Sequence, residues 1–234
     1  STFLEILWTV VPIIILVIMV IPATKTLIMV YDTSEPDLDV VITGYQWKWK
    51  YEYLNQDVSF FSSLATPADQ IHNLAPKGPN YLLEVDHELV IPIKKKVRFL
   101  ITANDVIHAW WVPALAVKKD AIPGFVNESW TFIDEPGVYR GQCAELCGKD
   151  HGFMPIVVRA VPQEEFDAWM DKKREASAAI AEAAKQTLTF DELYAQGEAV
   201  YQKQCAACHQ PDGKGIAGVF PAIAGSPIAN GDIH

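Results

Sequence analysis

A run of apolar residues near the start of the chain places the first limit on its fold. Residues 7–30 are mostly apolar, and Lys25 is the only charged residue among them. A helix that rises 1.5 Å per residue over this run is long enough to cross a hydrocarbon core of about 30 Å. A secretory signal is the alternative, but no basic segment precedes the run, Glu5 stands in its place, and no small-residue cleavage site is clear. We therefore predict a transmembrane helix within residues 1–32.

Short runs of β-branched and aromatic residues follow the apolar segment. They are bounded by Pro, Gly, Asn or Asp, a pattern that is typical of strands in a sandwich or barrel. An aromatic run at 44–53 alternates with polar residues as one face of a strand does, and residues 54–80 are predicted to form a long loop. The other predicted strands are 40–43, 81–85, 89–93, 97–102, 130–133, 137–140 and 156–161.

A cluster of metal-binding residue types lies near the end of this β-rich region. Cys143, Glu145, Cys147, His151 and Met154 fall within twelve residues. Thiolate, imidazole and thioether ligands together favour copper, because zinc sites do not use Met. A disulfide between the two cysteines is the alternative for an oxidising compartment.

A further ligand is expected upstream of this cluster, on an earlier strand. His108 fits that position, although its local sequence alone would favour a hydrogen-bonded core histidine.

A second redox motif lies near the end of the chain. Residues 162–190 have a helical composition with a thin apolar face, which indicates a helical linker. The sequence then contains Cys205, Cys208 and His209 in the C-x-x-C-H pattern of covalent haem c attachment. In such sites the two thiols bind the haem and the histidine is the proximal iron ligand. A thioredoxin-like pair or a zinc knuckle is the alternative.

The order C-x-E-x-C-x-x-x-H-x-x-M, with D-V-x-H upstream, resembles subunit II of haem-copper cytochrome c oxidases over residues 1 to about 160. The resemblance implies a Greek-key, cupredoxin-like domain at 36–161 that holds a binuclear copper A centre. It implies that Cys143 and Cys147 bridge the two copper ions and that His108 and His151 each bind one copper ion. It also implies that Met154 and the backbone carbonyl of Glu145 are weak outer ligands of the copper ions. The side chain of Glu145 is expected to reach a Mg ion at the border with subunit I.

The same resemblance assigns roles to two residues outside residues 143–154, which are called the copper loop below. The family has two transmembrane helices, and residues 1–32 resemble the second of them. Glu5, three residues before Trp8-Thr9, matches a carboxylate at the entrance of a proton path into subunit I; an ordinary carboxylate at a helix end is the alternative. Trp47, directly after Gln46, matches the exposed tryptophan through which electrons reach copper A; packing is the alternative.

The C-terminal segment resembles a class I cytochrome c. Residues 191–234 match its first helix and its Pro-containing loop beside the haem, so we expect a partial, all-α cytochrome c domain. No Met follows Met170, and His234, the last residue, is a weak candidate for the distal ligand. We therefore expect the chain to be incomplete at both ends.

Taken together, these features predict subunit II of a terminal oxidase with a fused cytochrome c domain. Electrons would pass from cytochrome c, through the fused haem c and copper A, to haem a in subunit I, where oxygen reduction is coupled to proton pumping. The expected partners are subunit I, other oxidase subunits, a cytochrome c or other donor, and a bacterial inner membrane with the redox domains on its periplasmic or outer face.

Other functions remain open at this point. A copper A subunit of a nitric oxide reductase is the closest rival, and a membrane-anchored copper-binding module is the rival from another class. Nitrous oxide reductases lack such a membrane helix, and quinol oxidase subunits lack the copper ligands. The net charge of −10 argues against nucleic acid as a partner. It would instead suit attraction of a basic cytochrome c, or plain solubility.

Overall fold

The structure is a computed structural model that describes residues 1–183, 185, 187–229 and 231. The candidate haem ligand His234 lies outside the described residues. The described chain divides into two compact units, and the first spans Ser1–Ala178. The helices are α1 (Thr2–Tyr31), α2 (Ala68–Ile71), α3 (Gln163–Ala183), α4 (Phe190–Gln204) and α5 (Ala206–His209). The strands are β1 (Leu38–Tyr45), β2 (Lys48–Tyr53), β3 (Val58–Ser62), β4 (Leu89–Pro92), β5 (Lys96–Ala103), β6 (His108–Val112), β7 (Val117–Ala121), β8 (Asn127–Phe132), β9 (Gly137–Cys143) and β10 (Pro155–Val161).

Helix α1 is the apolar segment predicted from the sequence. It contains Pro12 and Pro22, and every one of its residues is exposed. Within the described part of the chain it is the one helix that is long and apolar enough to cross a membrane. Its last turn contacts the β-rich region, where the Trp130 indole donates a hydrogen bond of 2.9 Å to the carbonyl of Val30.

The ten strands form two five-stranded sheets. The first sheet has the order β3-β2-β1-β5-β8, and the second has the order β4-β10-β9-β6-β7. Alternate residues of β1 and β5 are buried, as expected where one face of each strand meets a core. The largest buried side chains include Trp49, Tyr51 and Trp110. The predicted all-β sandwich is therefore present, and six of the seven strand segments predicted from the sequence lie at least largely within strands.

The strand predicted at 81–85 is wrong. Leu82 has a φ of 59°, a left-handed conformation that a strand cannot contain. Only Val85 pairs, in an isolated bridge with Leu64. Conversely, the predicted loop at 54–80 contains β3 and α2, and the aromatic run at 44–53 is divided between β1 and β2 by a turn at Gln46 and Trp47.

The first half of α3 packs on the sandwich. Phe166 and Met170 are buried in its core, and the Trp169 ring lies 5.5 Å from the ring of Tyr53. The Arg174 guanidinium donates hydrogen bonds to the backbone and side chain of Gln56. The predicted helical segment therefore begins as part of the β-rich unit.

The second unit begins at Ala179 and contains α4 and α5. Helix α4 begins with a capping box in which Thr189 and Glu192 satisfy each other's backbone N–H groups. Its end leads directly to the C-x-x-C-H motif, which occupies Cys205 and the short helix α5.

Candidate metal centre

The predicted copper ligands come from three parts of the second sheet. His108 begins β6, Cys143 ends β9, and the loop from Cys143 to Met154 leads into β10. The neighbouring strands fix their relative position, because Trp110 of β6 pairs with Cys143 of β9. His108 is fully buried.

The donor atoms of these residues converge on one place. The Sγ atoms of Cys143 and Cys147 are 3.8 Å apart, and His108 Nδ1 lies 3.9 Å from the Cys143 Sγ. The Cys147 Sγ is 3.5 Å from both His151 Nδ1 and Met154 Sδ. The carbonyl oxygen of Glu145 lies 3.4 Å from the Cys143 Sγ.

These atoms fit a soft metal centre and not a disulfide. Both thiols are free, and a disulfide would bring the sulfurs to about 2.05 Å. Metal–thiolate bonds of about 2.3 Å allow one ion to reach both sulfurs across the 3.8 Å gap. Two thiolates, two imidazoles and a thioether match the ligands that copper takes in electron-transfer sites.

Asp105 orients His108. It was not identified as a functional residue from the sequence alone. Its Oδ1 lies 2.8 Å from His108 Nε2, so the imidazole donates from Nε2 and leaves Nδ1 free for a metal. Burial would lower the pKa of His108, but hydrogen bonds to Cys143 and Asp105 outweigh it and raise that pKa. The available signal was a carboxylate three residues before the histidine, in the D-V-x-H pattern.

The two thiols differ in acidity. Burial favours the neutral form of Cys143, but its hydrogen bonds, led by the one with His108, lower its pKa to about 7. Burial and the nearby charge of Cys143 raise the pKa of Cys147 to about 12. The two pKa values shift in opposite directions because the charge of one thiolate disfavours ionisation of the other, and a bound cation would compensate that second negative charge.

Trp47 lies beside the copper loop, half-buried at the turn between β1 and β2. Its indole Nε1 donates a hydrogen bond of 3.2 Å to the carbonyl of Cys147. The Gln46 side chain donates to the same carbonyl at 2.7 Å. Trp49 is instead fully buried, with its Nε1 3.4 Å from the Met154 carbonyl.

Comparison with known proteins gives a family for each unit. The family described as "Cytochrome C oxidase subunit II, periplasmic domain" matches residues 38–161, more than half of the chain. The chain belongs to the cytochrome c oxidase subunit II family. A second family, described as "Cytochrome c", matches residues 194–232 of this subunit II chain.

Individual relatives agree with this assignment. A probable cytochrome c oxidase subunit 2 from Rickettsia bellii is 48% identical over 179 residues, which are 76% of this chain and 65% of the relative. The corresponding protein of Rickettsia felis is 46% identical over 177 residues, 76% of this chain and 55% of the relative. The chain thus spans less than two thirds of the length of these relatives.

A solved structure supports the same fold. The periplasmic domain of subunit II of cytochrome oxidase (CoxB) of Bradyrhizobium japonicum is 42% identical, with a TM-score of 0.55. The match covers 62% of this chain and 98% of that domain. The predicted fold class is confirmed: an apolar N-terminal helix, a cupredoxin-like β domain, and C-terminal helices consistent with a cytochrome c domain.

Subunit II domains imply copper A, and cytochrome c domains imply haem c. The C-x-x-C-H motif of this subunit II chain fits a haem. His209 Nδ1 donates a 2.9 Å hydrogen bond to the Pro221 carbonyl, which leaves Nε2 for an iron ion. The Phe220 ring lies edge-on to His209 at 6.2 Å.

Glu145 and Glu5, the predicted Mg ligand and the predicted proton-path residue, lie in different parts of the structure. The Glu145 side chain is exposed on the copper loop, consistent with a role outside the metal centre itself. Glu5 lies in the first turn of α1, where its carbonyl accepts a 2.8 Å hydrogen bond from Thr9. The roles of both carboxylates stay predictions.

Proposed function

We propose that this chain is the subunit of a terminal cytochrome c oxidase that passes electrons from a cytochrome c donor to subunit I. The observation that carries the proposal is the convergence of two thiolates, two imidazoles and a thioether, with the two sulfurs 3.8 Å apart. A structural zinc site would not need the thioether, and a copper-delivery module would not need an attached haem.

The proposed roles of the ligands are those that the family resemblance implies. Cys143 and Cys147 would together hold a two-copper centre, and His108 and His151 would each supply one further ligand to it. Met154 and the carbonyl of Glu145 complete the set as weak ligands. The bound copper supplies reversible one-electron transfer, and the buried surroundings of His108 and both thiols exclude water from the ligands.

Trp47 is the proposed residue through which electrons reach this centre. It is half-buried and bonded through its indole N–H to the carbonyl of Cys147, a bridging ligand. Its partly exposed ring therefore offers a direct contact between a donor and the copper loop.

The remaining chain supplies the donor and the membrane attachment. Cys205 and Cys208 attach haem c, and His209 is its proximal ligand, oriented by Pro221. Fusion keeps this donor at a high effective concentration near the copper domain. Helix α1 anchors the chain in a bacterial inner membrane beside subunit I, with the redox domains at its periplasmic or outer face.

Two finer roles belong to the same proposal. Glu145 provides a Mg ligand at the border with subunit I, and Glu5 marks the entrance of a proton path for pumping. The proposed domain limits are 1–32, 36–161 and 191–234, joined by the helical segment 162–190, whose first half packs on the β-rich domain.

Replacement of Cys147 by serine in the complete oxidase tests the proposed function. We expect haem c to remain reducible by ascorbate while oxygen consumption is lost, because a bridging thiolate is missing. Leu146→Ala, an exposed change in the same loop, serves as the control for loop damage. Oxygen consumption at the wild-type rate, or consumption of nitric oxide in place of oxygen, would contradict the proposal.

A further inference from the structure

Gln46 lies at the turn between β1 and β2, directly before Trp47, and it is exposed. We infer that Gln46 is a positioning residue that holds the Trp47 indole against the copper loop. The inference rests on the proposed electron-uptake role of Trp47.

Gln46 connects two parts of the metal centre. Its backbone N–H donates to Asp105 Oδ2 at 2.7 Å, and the other oxygen of that carboxylate bonds His108. Its side-chain Nε2 donates to the Cys147 carbonyl, also at 2.7 Å. Gln46 thus connects its turn both to Asp105, which binds His108, and to the copper loop at Cys147.

The Gln46 amide and the Trp47 indole share the same acceptor. A carbonyl oxygen has two lone pairs, so the Cys147 carbonyl accepts from both side chains at once. The indole bond, at 3.2 Å, is longer than the amide bond of 2.7 Å. The shorter bond is the stronger restraint on the turn that carries the indole.

Close packing against Gly148 adds to this restraint. A Cβ atom on Gly148 would lie 2.9 Å from both Gln46 Nε2 and Trp47 Cζ2, closer than real contacts allow. Gly148 also has a φ of +120°, which side-chain-bearing residues rarely adopt. The two side chains therefore lie directly on the loop backbone. Lys149 Nζ lies 5.7 Å from the centre of the Trp47 ring.

These contacts separate the role of Gln46 from that of a metal ligand. Neither Gln46 nor Trp47 places a side-chain atom among the donor atoms described above. Loss of the Gln46 amide leaves the indole with its single, longer bond, so the ring samples orientations away from the loop. Electron uptake slows, while the ligand set is unchanged.

Gln46→Met in the complete oxidase tests the inference, because methionine keeps the length of the side chain but cannot donate. The rate of haem c oxidation is followed after the fully reduced oxidase is mixed with oxygen. We expect that rate to fall about fivefold, the factor that corresponds to one net intramolecular hydrogen bond. Gln142→Met, an exposed glutamine directly before Cys143, is the matched control and should leave the rate unchanged.

Two further readouts distinguish positioning from a structural effect on the copper loop. The electron paramagnetic resonance spectrum of copper should be the same in Gln46→Met and wild type. The Trp47 indole N–H should exchange faster with solvent, measured by NMR on the fully reduced chain in micelles. An altered copper spectrum, or an unchanged exchange rate, would overturn the inference.

A double-mutant cycle tests whether Gln46 acts through Trp47. Gln46→Met should have no further effect on haem c oxidation in a Trp47→Phe background, and additive losses would overturn the inference. If Trp47→Phe alone leaves the rate unchanged, the proposed electron-uptake role fails. The exchange measurement still decides whether Gln46 positions the indole.

Discussion

Replacement of Asp105 by asparagine removes one acceptor from the side of the metal centre without changing its shape. The carboxylate accepts three hydrogen bonds: from His108 Nε2 at 2.8 Å, and from the Gln46 and Val106 amides at 2.7 Å each. Asparagine offers one oxygen and one NH₂ group. If its oxygen faces His108, the NH₂ faces the Gln46 N–H. If the side chain is turned over, His108 must move its proton to Nδ1, the atom that faces Cys143.

Either orientation costs a similar amount. A polar group left without its partner costs about 1–3 kcal/mol. Loss of a residue that orients a metal-bound histidine lowers metal affinity about 10–100-fold, or about 1.4–2.7 kcal/mol. We therefore expect copper to bind about 10–100-fold more weakly to Asp105→Asn.

Competition with a copper chelator measures this change, and thermal unfolding of the copper-free chain shows whether the fold is intact. Asp134→Asn, at an exposed position just beyond Ile133 at the end of the first sheet, is the control and should bind copper normally. Copper affinity of Asp105→Asn within about twofold of wild type would show that Asp105 does not orient His108.

Two other predictions concern packing and pH. Gly44→Ala places a Cβ atom 2.8 Å from His108 Cδ2, so we expect about 1–3 kcal/mol lower stability and weaker copper binding in thermal unfolding and chelator titrations. Gly152→Ala, whose Cβ meets nothing within 4 Å, should change neither, and equal behaviour of the two variants would refute the packing argument. Burial raises the pKa of Tyr51 and Tyr53 above the value of 10.0 that they have when exposed. The contribution of their neutral side chains to folding stability is therefore complete below about pH 10, and it is lost as the pH rises further. Phenolate absorbance should show these two ionising only as the domain unfolds; ionisation of all eight tyrosines together in the folded protein would contradict this.

The copper loop could be predicted from the sequence because its ligands are close in the chain. Five of them lie within twelve residues in a fixed order, so their chemistry is readable before any fold is known. His108 was found only through its place in a family pattern, since its local sequence suits a core histidine equally well. The structure brings the donor atoms of Cys143, Cys147, His151 and Met154 together with His108, while their individual roles stay predictions.

The residues that surround the ligands could not be found in the same way. Gln46 and Asp105 are 59 positions apart, and Gln46 and Cys147 are 101 positions apart, so these contacts exist only after the sheets form. The need for glycine at position 44 likewise depends on His108 of another strand.

Strand prediction failed at β7 and at residues 81–85 for a related reason. Strand β7 has the sequence VKKDA and is held mainly by pairing with β6, because it offers little apolar alternation of its own. The segment at 81–85 has suitable residues but a left-handed backbone at Leu82, whose N–H bonds the Thr66 hydroxyl. Neither the pairing of β7 nor the backbone conformation of Leu82 can be predicted from local composition.

The copper content and electron paramagnetic resonance spectrum of the full chain test the central claim most directly. The account predicts two copper ions per chain and, in the mixed-valence state, hyperfine splitting from two equivalent copper nuclei, both lost in Cys147→Ser. One copper ion with a single-nucleus pattern, or zinc in its place, would contradict it.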